Sequence, residues 1–535
     1  MKGFDGIGAA RRPAPGAGVS GFALGDPAIV LARRRRINFA VLFARLRLGL
    51  RSAPKRGGFL RLERKKGHDM SLCTNRSVFS PKYKDQYHDL EAVIVNNRIG
   101  VEKWFRDRWL DHEPPFYGSV DLRNTGYKLA PVDMNLFPGG FNNLDPDQIP
   151  LAAFAVEDAV ERRAPGAKSI LVVPESHTRN LFYLQNIATF KNILEQSGYV
   201  VRFGTVNPEI EDKAELETAL GDTVLLERLR RQGDALALAD GFEPDMVLLN
   251  NDLSGGVPEI LVGAKQLVTP PLSAGWHFRR KSGHFKRYDE VAGKFAETIG
   301  IDPWRLNAYH ENLGGVDFRQ SEGVERLADA ISRLMEKTRV KYKEYGVDDK
   351  PYVIVKADAG TYGMGVMSVK DPNEVLKLNR KARNKMSTVK EGMQVTEVII
   401  QEGVYTAETV CRAVAEPVVY MIDRYVLGGF FRVHEGRKAD ENLNASGMAF
   451  VPLTGAIPMP EFEEMERFDK NRHYEIWEAV SIPDCHQVDC PSNRFYLYGV
   501  VGRLSALAAS MEIEDLKSAY AKHMAEKERQ DPAAH

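Results

Sequence analysis

From residue 166 onward the apolar residues fall into short continuous runs rather than alternating stripes. Ser169-Ile-Leu-Val-Val173 is such a run, and its length reads as a strand buried on both faces. A helical pattern follows over about 177–197, with Gly198 placed to close it in a left-handed conformation. Tyr199-Val-Val-Arg-Phe203 reads as a second strand, which makes a βαβ unit. A charged helix is expected over about 211–233, then another buried strand, Asp245-Met-Val-Leu-Leu249. Region 166–275 is therefore expected to be an open α/β sheet. The polar turn Asn250-Asn-Asp-Leu-Ser-Gly-Gly256 would lie at the C-terminal end of its strand, the edge where such sheets bind ligands.

Residues 276–345 read as a charged helical connection. From 346 to 512 the pattern changes to strands at about 352–356, 365–369, 397–402, 417–422 and 426–433, with a helix over about 372–386. Closely joined strands with one crossing helix predict an α+β unit. An apolar helix over about 498–511 follows, and the charged tail 513–535 is expected to fray. Residues 70–165 mix polar segments with Pro/Gly-rich loops such as Leu136-Phe-Pro-Gly-Gly-Phe141, and their elements are hard to place.

Composition adds an asymmetry. The 535 residues hold 73 Lys+Arg and 73 Asp+Glu, but residues 1–69 carry 16 basic against 4 acidic side chains. That segment is rich in Gly, Pro, Ala and Arg, including Arg33 to Arg36, and is read as a poorly ordered extension. A transit peptide, a basic nucleic-acid or lipid-binding arm, and translated sequence upstream of a start at Met70 are the three readings, the last favoured by the contrast in composition. The remaining body is mildly acidic, so no nucleic-acid partner is expected for it. Four cysteines suit a reducing cytoplasm, and no apolar run reaches the 18 or so residues of a membrane span. Cys485-His486 with Cys490 lacks a second pair for zinc. The Gly16–Gly21 match to a dinucleotide fingerprint follows prolines, not a strand, and is discarded.

The chemistry concentrates in Tyr352-Val-Ile-Val-Lys356-Ala-Asp-Ala-Gly360-Thr-Tyr-Gly363-Met-Gly365. A buried strand ends in a lysine, and a glycine-rich loop follows. The lysine sets one positive charge beside a cleft, while glycines let backbone N–H groups close on an anion. Together they would cradle nucleotide phosphates, and a P-loop is excluded because the chain has no such motif. Further on, Glu397-Val-Ile-Ile-Gln401-Glu402-Gly403-Val404 is a strand ending in Gln-Glu-Gly. A β-hairpin through Asp423 ends at Arg432, and Asp440-Glu441-Asn442-Leu443-Asn444 precedes Gly447.

This order resembles the ATP-grasp ligases, and over roughly 70–515 the body resembles the bacterial glutamate–cysteine ligase family of ATP-grasp type. The resemblance implies an α/β protein in which an open α/β, pre-ATP-grasp-like domain precedes an α+β ATP-grasp-type nucleotide-binding domain. It implies ATP and Mg²⁺, with Lys356 and either Lys281 or Lys286 on the phosphates, Gly360, Gly363 and Gly365 covering them, and Gln401, Glu402 and Val404 beside adenine and ribose. Arg432 would face the transferred phosphate. Asp423, Glu441, Asn442 and Asn444 are the metal candidates, although no clean Glu-x-Asn is present. Arg123 or Arg179 would bind glutamate's α-carboxylate, with Asn250 and Asn251 also facing substrate. The expected function is formation of γ-glutamylcysteine from glutamate and cysteine through γ-glutamyl phosphate. The alternatives are another ligase of the fold, such as a glutathione synthetase, or a non-catalytic nucleotide-binding protein with a basic arm.

Overall fold

The computed structural model describes residues 77–79, 82–360, 365–387, 395–410, 412–453 and 494–530. The basic extension, Gly363 and all four cysteines lie outside them. In chain order the first elements are β1 (Ser77–Phe79), α1 (Lys84–Asn96), α2 (Arg98–Asp111), β2 (Tyr117–Asn124), β3 (Leu129–Asn135) and α3 (Ile149–Arg163). Next come β4 (Ser169–Pro174), α4 (Leu181–Gln196), β5 (Val200–Thr205), β6 (Lys213–Glu217), β7 (Thr223–Arg228), β8 (Arg230–Gln232), β9 (Ala235–Ala237), β10 (Met246–Asn250) and β11 (Leu267–Thr269). Then α5 (Lys281–Ile299), β12 (His310–Gly314), α6 (Ser321–Glu344), β13 (Val353–Ala357), β14 (Val366–Val369), α7 (Asn373–Leu376), α8 (Arg380–Ser387) and β15 (Glu397–Glu402) lead to β16 (Glu408–Val410), β17 (Ala413–Ile422), β18 (Tyr425–His434), β19 (Ala449–Pro452) and α9 (Arg494–Gln530).

Three larger sheets organise these elements. Strands β11-β10-β4-β5-β7-β6 form a six-stranded sheet, parallel except for its edge strand β6. The charged segment at 211–233 is thus strands, not a helix. Lys213-Ala-Glu-Leu-Glu217 alternates exposed and half-buried positions, the period of an edge strand, and Gly221 and Gly233 take positive φ at the turns. A second sheet of seven antiparallel strands is centred on β17, which pairs with β2, β16 and β18. It draws strands from both the 70–165 and the 346–512 segments. The third sheet, β12-β15-β13-β14, is antiparallel throughout, and β12 lies within the stretch read as helical.

Side-chain alternation explains the layering. On β17, Val419 and Met421 pack with the apolar side of α9 (Leu497, Val501, Leu504), while Val418, Tyr420 and Ile422 pack with α3 and α4. A strand buried on both faces is expected to be mainly apolar, and this one is, apart from Glu416. In the third sheet Val353, Val355, Val398 and Ile400 face α6, leaving Ile354, Lys356 and Gln401 on the opposite face, toward a cleft. The terminal helix runs on to Gln530 instead of fraying after 513. Its Ala-, Lys- and Glu-rich end favours helix, and Tyr520 and His523 meet Phe278. Buried Arg279, at 2.8 Å from Glu512, ties α9 to the start of α5.

Candidate active site

A cleft of about 970 Å³ opens where the three sheets converge. Register builds its floor. Asp121 on β2 sits directly opposite Asp133 on β3, and Glu416 on β17 opposite Arg432 on β18. Facing carboxylates repel unless cations intervene. Here Arg432 donates to Asp121 Oδ2 at 2.9 Å and Glu416 Oε1 at 2.6 Å, while Lys281 Nζ reaches Asp133 at 2.8 Å. Lys281 begins α5, and its placement is tied to the loop after β13. Its N–H donates to the Asp358 carbonyl, and the Asp358 carboxylate accepts from Ser282 N–H and Oγ at 2.8 and 2.6 Å. Lys356, at the end of β13, donates to Val132 O at 2.7 Å and Gln401 Oε1 at 2.8 Å.

The electrostatics follow from this crowding. Removal from bulk water pulls the Lys356 ammonium down to about 8, although Asp133 opposes the shift. Burial disfavours the Asp133 carboxylate, yet Lys281 and Lys356 outweigh it and hold its pKa well below the usual range. Asp121 moves the other way: burial and the neighbouring Glu416 raise it, and Arg432 only partly compensates. Burial also disfavours Glu416, but Arg123 and Arg432 hold it below its ordinary value. The floor brings four cations (Lys281, Lys356, Arg123, Arg432) together beside Asp121, Asp133 and Glu416, a local concentration of positive charge that suits an anion, although Glu175, Asp252 and Glu402 also line the cleft. Among the described residues Gln401 Nε2 and Arg432 Nε are buried donors without a partner, and both await an acceptor.

The residues singled out in the sequence divide. Lys356, Lys281, Gly360, Gln401, Glu402, Val404, Arg432, Arg123, Asn250, Asn442 and Asn444 all line the cleft, and Gly360 and Gly365 have positive φ. The Glu402 carboxylate, however, is spent on Lys128 Nζ at 2.6 Å, Trp304 Nε1 and the Tyr309 N–H. Arg123 is a clamp rather than an open carboxylate receptor, since its guanidinium holds Glu416 and the carbonyls of Val404, Ala439 and Glu441. Lys286 is exposed one helical turn beyond Lys281 and does not line the cleft. Arg179 and Asn251 are also off its wall; Asn251 Nδ2 bonds Pro174 O.

The metal candidates are redrawn. Asp423 lies in the β17–β18 turn, at φ 55°, with its oxygens taken by Arg162 and Arg163 and the Arg424 N–H. Glu441 points to the Lys438 N–H, outside the cleft wall. Neither position leaves a carboxylate facing the cleft. Asp121, Asp133 and Glu416 do face it, and the sequence reading passed over all three. Asp121 stands within the motif Ser119-Val-Asp-Leu-Arg123; a strand reading of that motif would have turned Ser119, Asp121 and Arg123 to one face. Asp133 gave no such signal, being a lone acid between Val132 and Met134.

The model of the family described as glutamate-cysteine ligase matches residues 91–513. A 1.90 Å crystal structure from Methylobacillus flagellatus KT, of a candidate γ-glutamylcysteine synthetase, is 51% identical, with a TM-score of 0.72 over 82% of this chain and 99% of that one. D-alanyl-alanine synthetase A from Vibrio cholerae O1 biovar eltor str. N16961 is 12% identical (TM-score 0.28, over 56% of this chain and 78% of that one). A glutathione synthetase-like effector from Globodera pallida, in its apo form, is also 12% identical (TM-score 0.32, 70% and 84%). No curated protein matches the chain. The extent of the first two matches settles the family: the chain belongs to the glutamate–cysteine ligases.

Proposed function

We propose that this ligase couples the γ-carboxylate of glutamate to the amine of cysteine, at the expense of ATP, on the cleft floor just described. The observation that carries the reading is the convergence of Lys356, Lys281 and Arg432 on one floor with unpartnered Gln401 Nε2 and Arg432 Nε. We read the third sheet as the core of an ATP-grasp-type nucleotide-binding unit, with Gln401 and the backbone of Glu402 to Val404 beside the base. The six-stranded, mainly parallel sheet is the pre-ATP-grasp-like unit in this reading.

In this reading Lys356 and Lys281 neutralise the phosphates and hold them in line with the glutamate γ-carboxylate. A carboxylate oxygen attacks the terminal phosphorus and ADP departs, giving γ-glutamyl phosphate. The amine then attacks the acyl carbon, and phosphate leaves with the C–O electron pair. No protein nucleophile is required; positioning and charge do the work. Arg432, held between Asp121 and Glu416, presents its free Nε to the transferred group. Among the described residues no three His, Cys, Asp or Glu side chains are grouped to hold a metal by themselves. Magnesium nevertheless fits this donor set, because it is ordinarily bound through one or two carboxylates together with substrate phosphates. Asp121 and Asp133, opposed on adjacent strands, would hold it. When bound, it supplies Lewis-acid charge to the phosphates.

The test is ADP release by the full chain with Mg-ATP and a panel of amines. Release that requires glutamate and cysteine together is expected. Release with γ-glutamylcysteine and glycine, but not with cysteine, would move the chain to a glutathione synthetase reaction.

A further inference from the structure

The cleft has a second end that phosphate chemistry leaves unused. It lies at the C-terminal edge of the parallel sheet, where β4 stops at Pro174 and β10 at Asn250. Glu175 and Asp252 follow those strand ends, and both line the cleft. They are fixed in place: the Asp252 N–H donates to Glu175 Oε1 at 2.8 Å, the Ser254 N–H donates to Asp252 Oδ1 at 3.0 Å, and Glu175 Oε2 lies 3.9 Å from His177 Nε2, a neighbour it would share with an incoming ammonium. The Tyr183 hydroxyl accepts the Glu175 N–H at 2.8 Å and donates to Asn250. The Asp252 carbonyl accepts the Trp276 N–H at 2.9 Å, and the Trp276 ring lies 4.6 Å from Lys281 Nζ. The backbone that carries Asp252 is thus bonded to that of Trp276, whose ring faces a lysine assigned to the phosphates.

Among the described residues, two further buried donors on the cleft lining have no partner. Asn186 Nδ2 is one; its amide oxygen is already held by the N–H groups of Gly140 and Phe141 at 2.7 and 2.9 Å. Trp276 Nε1 is the other. The two residues are 2% and 3% exposed. An unmet buried donor is costly and is retained where something supplies its acceptor. Two carboxylates beside two waiting donors complement a zwitterion, ammonium toward the acids and carboxylate toward the donors.

We infer that this end of the cleft is the subsite for the amine-donating amino acid, with Glu175 and Asp252 receiving its ammonium group. The inference rests on the ligase reading and adds where the second substrate sits. Glutamate is disfavoured here, because its extra carboxylate would face two acids while the Arg432 side offers a cation. The ammonium gives one proton to the Glu175 carboxylate, and the freed nitrogen lone pair attacks the acyl carbon. The C–O bond to phosphate breaks, and the leaving phosphate takes the electron pair and the second nitrogen proton. Glu175 then returns its proton to water.

Glu175→Gln and Asp252→Asn test this in the full chain, since each keeps the oxygen that accepts its backbone N–H. The KM for cysteine should rise about 10-fold or more, as for loss of a charged hydrogen-bond partner, while the KM values for ATP and glutamate hold. With hydroxylamine, uncharged at neutral pH, glutamyl hydroxamate formation by both variants should fall far less than turnover with cysteine. An unchanged KM for cysteine, a raised KM for glutamate instead, or loss of hydroxamate formation would overturn the subsite. A parent enzyme that forms no hydroxamate from ATP and glutamate would overturn the ligase reading itself. Thermal unfolding is followed for each variant, and Asp252→Asn decides the matter if Glu175→Gln does not fold.

Discussion

Lys356→Ala is expected to lower turnover by about 10²-fold or more, the scale for losing one preorganised charge aimed at developing negative charge. The reason is its position: a single ammonium at a strand end, held by Val132 O and Gln401 Oε1 and facing the cleft. Steady-state ADP release measures the effect. Unfolding should change little, because Asp133 keeps Lys281 as its partner. The same group predicts a pH dependence. Its pKa of about 8 in the free protein means that the cation is lost as pH rises through that value, so kcat/KM for ATP should fall above about pH 8. The stability sign is opposite. The folded pKa lies below the ordinary lysine value of 10.5, so the unfolded chain binds more protons between about 8 and 10.5. The penalty for holding this lysine is full below about pH 8 and fades as pH climbs to 10.5. Full turnover by the alanine variant would remove Lys356 from the site.

The second large effect is on stability. Lys128 and Glu402 meet at 2.6 Å with 1% exposure each, and Lys128 Nζ sits 3.9 Å from the centre of the Trp304 ring. Burial drags this lysine down to about 8 against the pull of Glu402. Lys128→Met leaves a buried carboxylate without its cation, and breaking such a pair costs about 3–5 kcal/mol, a large share of the roughly 5–15 kcal/mol of a typical domain. Urea unfolding should show that loss, and the double variant Lys128→Met/Glu402→Met should recover most of it. Because Glu402 also anchors the Tyr309 N–H and ends β15, the single variant should weaken ATP binding as well. A loss under about 1 kcal/mol would show that the pair is not the anchor described.

What could be read from the sequence was whatever lay in apolar runs. β4 and β10 are continuous apolar runs because neither face meets water, β13 and β15 carry shorter runs packed against α6 on one face, and Lys356 stood out because it ends such a run before a glycine loop. β2 and β3 stayed illegible for the opposite reason. Their cleft-facing positions are polar (Ser119, Asp121, Arg123, Asp133), and Pro131 interrupts β3, so the apolar period breaks where the site is built. The pairing of β2 with β17 joins residues about 300 apart, which no local pattern reports. At 211–233 charge content suggested a helix, yet the period of two in Lys213 to Glu217 was the stronger signal. The metal candidates near 423 and 441 rested on motif spacing alone, and the arginines that occupy Asp423 come from α3, some 260 residues earlier.

The most direct measurement uses glutamate labelled with ¹⁸O in its γ-carboxylate, incubated with the full chain, Mg-ATP and cysteine. Transfer of one labelled oxygen into the released phosphate, alongside one γ-glutamylcysteine per ADP, is the predicted result. Unlabelled phosphate, with ADP formed whether or not glutamate is present, would contradict activation of the γ-carboxylate and with it the function assigned to this cleft.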